Sequence, residues 1–149
     1  MKIRKHVLLN IIVPILAGTL IYLFLAPDTF IVKGGWRILG RRNPLEAINI
    51  MDFPYPVRWI RFYVCDALWT YALSNTVILI LGDAKRNILI GCSIGILFSI
   101  IMELLQLFSF FPGTFDIWDI FTAIIAGITA GIINKEQKEN FNYEKNKID

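Results

Sequence analysis

Four stretches of this 149-residue chain are long, apolar and almost free of charge, and that pattern leaves few ways to fold. Val7 to Ala26 gives twenty mostly apolar residues. At 1.5 Å per helical residue, such a run is long enough to cross a hydrocarbon core roughly 30 Å thick. Similar runs extend from about Tyr63 to Leu81, Asn87 to Phe108 and Phe115 to Ile133. Within hydrocarbon only a continuous helix satisfies its own backbone here, so the expected class is all-α, an integral membrane bundle of four transmembrane helices. A hydrophobic fraction of 56% agrees, being above the roughly 45–50% of soluble domains.

Charge and chain breakers fill the gaps. Pro27 to Phe62 holds Gly34, Gly35, Gly40, Pro44, Pro54, Pro56 and six of the fifteen basic residues, so it reads as an interfacial loop between helices one and two. Short amphipathic pieces such as Pro44 to Met51 would rest at the headgroups. Gly82 to Arg86 forms a tight polar turn, and Pro112 and Gly113 break the chain before the last helix. Residues 1–134 therefore form one transmembrane domain, and residues 135–149 a polar, solvated or disordered cytoplasmic tail. A signal peptide is the rival reading of the first run. Phe24 at the −3 position and Pro27 just after Ala26 make a poor cleavage site, which favours an uncleaved helix.

With the N-terminus inside, nine basic residues fall on the cytoplasmic side (Lys2, Arg4, Lys5, Lys85, Arg86, Lys135, Lys138, Lys145 and Lys147) and six outside. The positive-inside rule then places both termini in the cytoplasm. The formal net charge of +3 includes no basic stripe interleaved with aromatics, which argues against nucleic acid as a partner. Cys65 and Cys92 both fall in apolar runs, where inert core thiols are the expectation and a buried disulfide the alternative.

Polar residues inside membrane helices are expensive and so call for an account. Asp66 lies one turn into helix two; Glu103 and Gln106 share a face near the end of helix three; Asp116 and Asp119 do the same at the start of helix four. In an up-down bundle all five meet at the outer leaflet, together with Arg58, Arg61, Trp36, Trp59, Trp69 and Trp118. Each has a structural reading beside the functional one. Asp116 can cap helix four, and Asp66 can pair with Arg58 or Arg61. Glu103, set among Ile100, Ile101, Met102, Leu104 and Leu105, is the hardest to explain as structure, because a carboxylate in low dielectric needs a partner. Arg58 or Arg61 is the expected cation. Glu103, Asp116 and Asp119, with water, offer oxygen ligands for Mg²⁺ or Ca²⁺, but their spacing is not specific for either, and no cofactor is expected. Gly91, Gly95 and Ser99, with Gly127 and Gly131, are spaced for close helix packing.

Glu103-x-x-Gln106, an aromatic- and glycine-containing link, and Phe115-Asp116-x-x-Asp119 opening a glycine-rich helix resemble the VanZ-like family. These are small bacterial membrane proteins named after a teicoplanin-resistance accessory protein. The resemblance runs from Ile101 to Gly131 and extends to Asp66, Leu68 and Trp69. It departs at Ala123 and Ala126, where the family usually carries asparagine and glycine, with Gly127 one place late. If the asparagine builds the site, activity here is reduced or altered.

The resemblance implies a cell-envelope protein of the bacterial cytoplasmic membrane, linked to antibiotic resistance. The expected role is accessory or binding, with Glu103, Gln106, Asp116, Asp119 and Asp66 forming an acidic outer-leaflet pocket. Its partners would be membrane lipids, a lipid-linked envelope precursor or an amphiphilic antibiotic, and an oligomer is compatible with it. The alternatives are a membrane enzyme acting on a lipid-linked substrate, with Glu103 as general base, and a structural subunit of a membrane complex.

Overall fold

The computed structural model describes residues 2–25, 30–40, 52–108 and 114–147. Every regular element among them is helical: α1 (Lys2–Leu25), α2 (Phe30–Ile38), α3 (Tyr55–Trp59), α4 (Cys65–Leu81), α5 (Lys85–Leu105) and α6 (Ile117–Asn146). A π-helical turn, Ile60–Val64, joins α3 to α4, so the two form one span, Tyr55–Leu81. Among the described residues, four helical spans are long and apolar enough to cross a membrane.

The side-chain distribution is the reverse of a soluble bundle. Leu9, Val13, Leu16 and Phe24 on α1, Leu97 and Phe98 on α5, and Ile125 and Ile128 on α6 are all exposed. Most buried positions are small or polar, including Cys65, Thr70, Ala72, Ser74, Asn75, Ala123 and Ala130, with Ile78 and Ile88 the large apolar exceptions. Apolar outside and small inside is the arrangement a bilayer selects, because lipid covers the large side chains and packing alone draws the helices together. This is a multi-pass integral membrane protein.

The bundle is centred on α4, which packs against α1, α5 and α6. Its crossing with α1 is at Gly18: a Cβ there would lie 3.2 Å from the Trp69 indole nitrogen, and the Cys65 thiol donates to the Gly18 carbonyl at 3.5 Å. Glycine is needed again where α4 meets α5. A Cβ on Gly91 would stand 3.1 Å from the Ile78 backbone nitrogen, and one on Gly95 would overlap the Ser74 hydroxyl. Beside that contact the Thr70 and Ser99 hydroxyls share a hydrogen bond of 2.6 Å. Cys65 and Cys92 are free and buried, so the disulfide does not form.

Three expectations about the connections change. The segment read as a loop contains α2, whose nine residues are too few to span a membrane; Lys33 and Arg37 are exposed on it and Trp36 is half-buried. The second span starts at Tyr55, eight residues early, because Pro54 and Pro56 sit at the N-cap and in the first turn, where a missing N–H does no harm. The last helix runs on to Asn146. Its thirty residues make about 45 Å of helix, so it continues past the apolar run as a mostly exposed extension. Good helix formers replace apolar residues there, Lys135 pairs with Glu139 at 3.9 Å, and the Lys138 ammonium donates to the Asp83 carbonyl at 2.7 Å. Pro44 to Met51, Pro112 and Gly113 lie outside the described residues.

Asn134, the last residue assigned to the transmembrane domain, is buried in the bundle. Its amide donates to Asn75 Oδ1 at 2.7 Å and to the Ala130 carbonyl at 2.7 Å, while the Asn75 amide donates to the Tyr71 carbonyl. In a double-mutant cycle with Asn75→Ala and Asn134→Ala, read by thermal unfolding in detergent, the pair should couple by about 0.6–2 kcal/mol. Strictly additive losses would mean that it carries no energy of its own.

Candidate functional site

Three helix ends meet around Glu103. It lies in the last turn of α5 and is 5% exposed, although its sequence neighbours Met102 and Leu104 are turned outward. One carboxylate oxygen accepts the Asp116 backbone N–H at 2.5 Å, and the other accepts the Gln106 side-chain amide at 3.1 Å. The first bond does what a capping box does within one helix: a carboxylate satisfies the N–H of the residue that opens the helix. Here the carboxylate comes from the preceding helix. The partner that the sequence reading sought in Arg58 or Arg61 is supplied by two neutral donors.

Asp116 is the N-cap of α6. Its Oδ1 accepts the Trp118 backbone N–H at 2.9 Å, and its Oδ2 accepts the Tyr63 hydroxyl at 3.2 Å. The capping role weighed for it is therefore real, and the same carboxylate also ties α6 to the π-helical turn. Asp119, three residues on, has one carboxylate oxygen, Oδ1, that is buried and has no hydrogen-bond partner. That oxygen is a buried acceptor with unused capacity. Asp66, at the start of α4, is close enough to both Glu103 and Asp119 for their charges to interact. Glu103, Asp116 and Asp119 are likewise within electrostatic reach of one another. All five predicted residues thus gather at one end of the bundle.

No family model, curated protein or solved structure matches this chain. The site is therefore described by its own chemistry. Arg58 stacks over the Tyr55 ring at 5.7 Å and Arg61 over Phe62 at 5.2 Å. Among the described residues no three His, Cys, Asp or Glu side chains gather as a set that could hold a metal ion. Two of the oxygen donors weighed for Mg²⁺ or Ca²⁺, Glu103 and Asp116, are occupied by N–H and O–H groups. The site is an array of acceptors, and its chemistry suits a cation or a group rich in hydrogen-bond donors.

Sequence reasoning missed two residues. Tyr63 stands three positions before Asp66, on the same helical face, and reaches Asp116. Tyr22, near the end of α1, lies within electrostatic reach of Asp66, Asp119 and Arg61. The i, i+3 spacing of Tyr63 and Asp66 was the available signal. Tyr22 had none beyond lying near the same end of its helix.

Proposed function

We propose that this chain is a VanZ-like protein of the bacterial cytoplasmic membrane, with both termini in the cytoplasm. It acts as a non-catalytic accessory protein that binds the cationic or hydroxyl-rich head of an amphiphile at the outer leaflet. The observation that carries this reading is the buried, unpartnered Oδ1 of Asp119 beside three further carboxylates. A buried acceptor without a donor is unfavourable by roughly 1–3 kcal/mol, and an incoming N–H or O–H relieves that penalty. The excess of basic residues on the other side of the bundle supports the orientation.

The structural-subunit reading draws support from a different observation. Glu103 and Asp116 spend their oxygens holding α5, α6 and the π-helical turn together, so these two residues serve the frame of the site. That same occupancy weighs against Glu103 as a general base, because both of its oxygens are engaged. Binding falls to Asp119 and Asp66.

The test is teicoplanin and vancomycin susceptibility in a sensitive Gram-positive host, with membrane levels matched. The native chain should raise teicoplanin tolerance, and Asp119→Asn should remove most of the gain. Equal susceptibility for native chain, variant and empty vector would defeat the link to glycopeptides.

A further inference from the structure

Beside the carboxylates, on the side of the α4–α6 contact away from α5, lies an open cavity of about 360 Å³. That is within the roughly 300–1,000 Å³ of small-molecule sites. Its walls come from the π-helical turn and α4 (Trp59, Tyr63, Ala67 and Tyr71 among them) and from Thr122 to Thr129 of α6. Four of its lining residues carry hydroxyls, yet its surface is almost entirely carbon. The reason is local. Thr122 donates its hydroxyl to the Asp119 carbonyl at 3.0 Å and Thr129 to the Ile125 carbonyl at 2.8 Å, so each shows the groove its methyl group. Tyr63 gives its hydroxyl to Asp116 and leaves its ring in the wall.

We propose that this groove holds the hydrocarbon chain of a membrane lipid whose amine-bearing head lies at Asp119 and Asp66. The occupant follows from position. Both walls belong to membrane-spanning segments, and the rim residues Trp59 and Ile125 are 46% and 64% exposed, so hydrocarbon is what the groove faces. It is also elongated: Thr122 to Thr129 alone covers about 10 Å along the helix axis, which suits a chain better than a compact ring system. Tyr63 joins the two halves, its ring lining the groove and its hydroxyl on the acidic cluster. A lipid lying along it would bring its head against the carboxylates. Four neighbouring carboxylates favour a cation there by charge complementarity.

The head-group half of this inference rests on the reading proposed above; the groove half does not. The full chain, purified in mild detergent, is loaded with dioleoyl phosphatidylethanolamine, phosphatidylcholine or phosphatidylglycerol, and retained lipid is counted by native mass spectrometry. Phosphatidylethanolamine should be retained roughly tenfold over phosphatidylcholine, about the worth of one hydrogen bond to a charged group, because methylation removes the N–H donors. Asp119→Asn should erase that preference. Ala67→Phe and Thr129→Phe, which fill the groove from opposite walls, should lower retention of all three lipids while helicity by circular dichroism is unchanged. Thr129 is exposed, so its variant serves if Ala67→Phe does not fold.

If both groove variants keep the native lipid load and head-group preference, the groove proposal is overturned and the head-group reading stands. If the groove variants lose lipid but phosphatidylethanolamine and phosphatidylcholine bind alike, the chain site stands and the amine head falls. A dimer present in the native chain and lost in Thr129→Phe would make the groove a contact between copies, which also overturns the proposal.

Discussion

Gly95→Leu should remove most of the folded protein from the membrane fraction, and what remains should melt well below the native chain. The contact is unforgiving because both sides are rigid. A Cβ at position 95 would overlap the Ser74 hydroxyl and lie 3.2 Å from both the Ser74 Cβ and its backbone nitrogen. Ser74 is fully buried, one turn from Ile78, whose Cγ1 would lie 2.5 Å from a Cβ added to Gly91. A leucine can be accommodated only by moving α5 away from α4. Overpacking a core is destabilising by about 1–3 kcal/mol where side chains can yield, and by more where backbone blocks the way. In a bilayer the loss is not offset by hydrophobic burial elsewhere, since lipid and leucine are equally apolar and helix association depends on close packing. Separating α4 from α5 would also break the Thr70–Ser99 hydrogen bond. Gly34→Leu is the control, because a Cβ on Gly34 meets nothing within 4 Å. Fluorescence-detected gel filtration after a heat ramp separates the two. A Gly95→Leu protein that melts with the native one would show that α4 and α5 do not depend on this approach.

The same small-residue spacing was readable beforehand, because Gly91, Gly95 and Ser99 recur every four residues on one face. So was the meeting of Asp66, Glu103, Gln106, Asp116 and Asp119. Alternating helix directions and i, i+3 pairs put them at one level without any knowledge of side-chain partners. What could not be read is how those groups divide their bonds. Glu103 needed a partner, and sequence offered only arginines, since the backbone N–H of Asp116 is invisible in a string of side chains. Helix ends were hidden for a related reason. Apolar runs mark where lipid ends, whereas hydrogen bonding decides where a helix ends. Pro54 and Pro56 look like breakers and act as a start; Asn134 stands at the polar end of the last apolar run and pairs with Asn75 in the core. Beyond it the chain has no glycine or proline to stop α6, so the polar residues continue the helix.

Glu103→Ala and Glu103→Gln should part company, and the difference measures what holds α5 to α6. Alanine removes both acceptors at once. The Asp116 N–H, which no turn of α6 can satisfy, and the Gln106 amide would each be left unpaired at roughly 1–3 kcal/mol where water is excluded. Part of that is recovered because a buried carboxylate no longer has to be desolvated. A net loss of about 2–4 kcal/mol is therefore expected, a large share of a stability of roughly 5–15 kcal/mol. Glutamine keeps an oxygen for the Asp116 N–H, and a flip of the Gln106 amide lets its own oxygen accept from the new amide. Its loss should stay within about 1 kcal/mol. Thermal unfolding of the two variants in the same detergent reads this directly. Equal losses would mean that charge, and not hydrogen-bond geometry, holds the junction. A silent Glu103→Ala would mean that water reaches the Asp116 N–H, and the site would then be wetter than its burial implies.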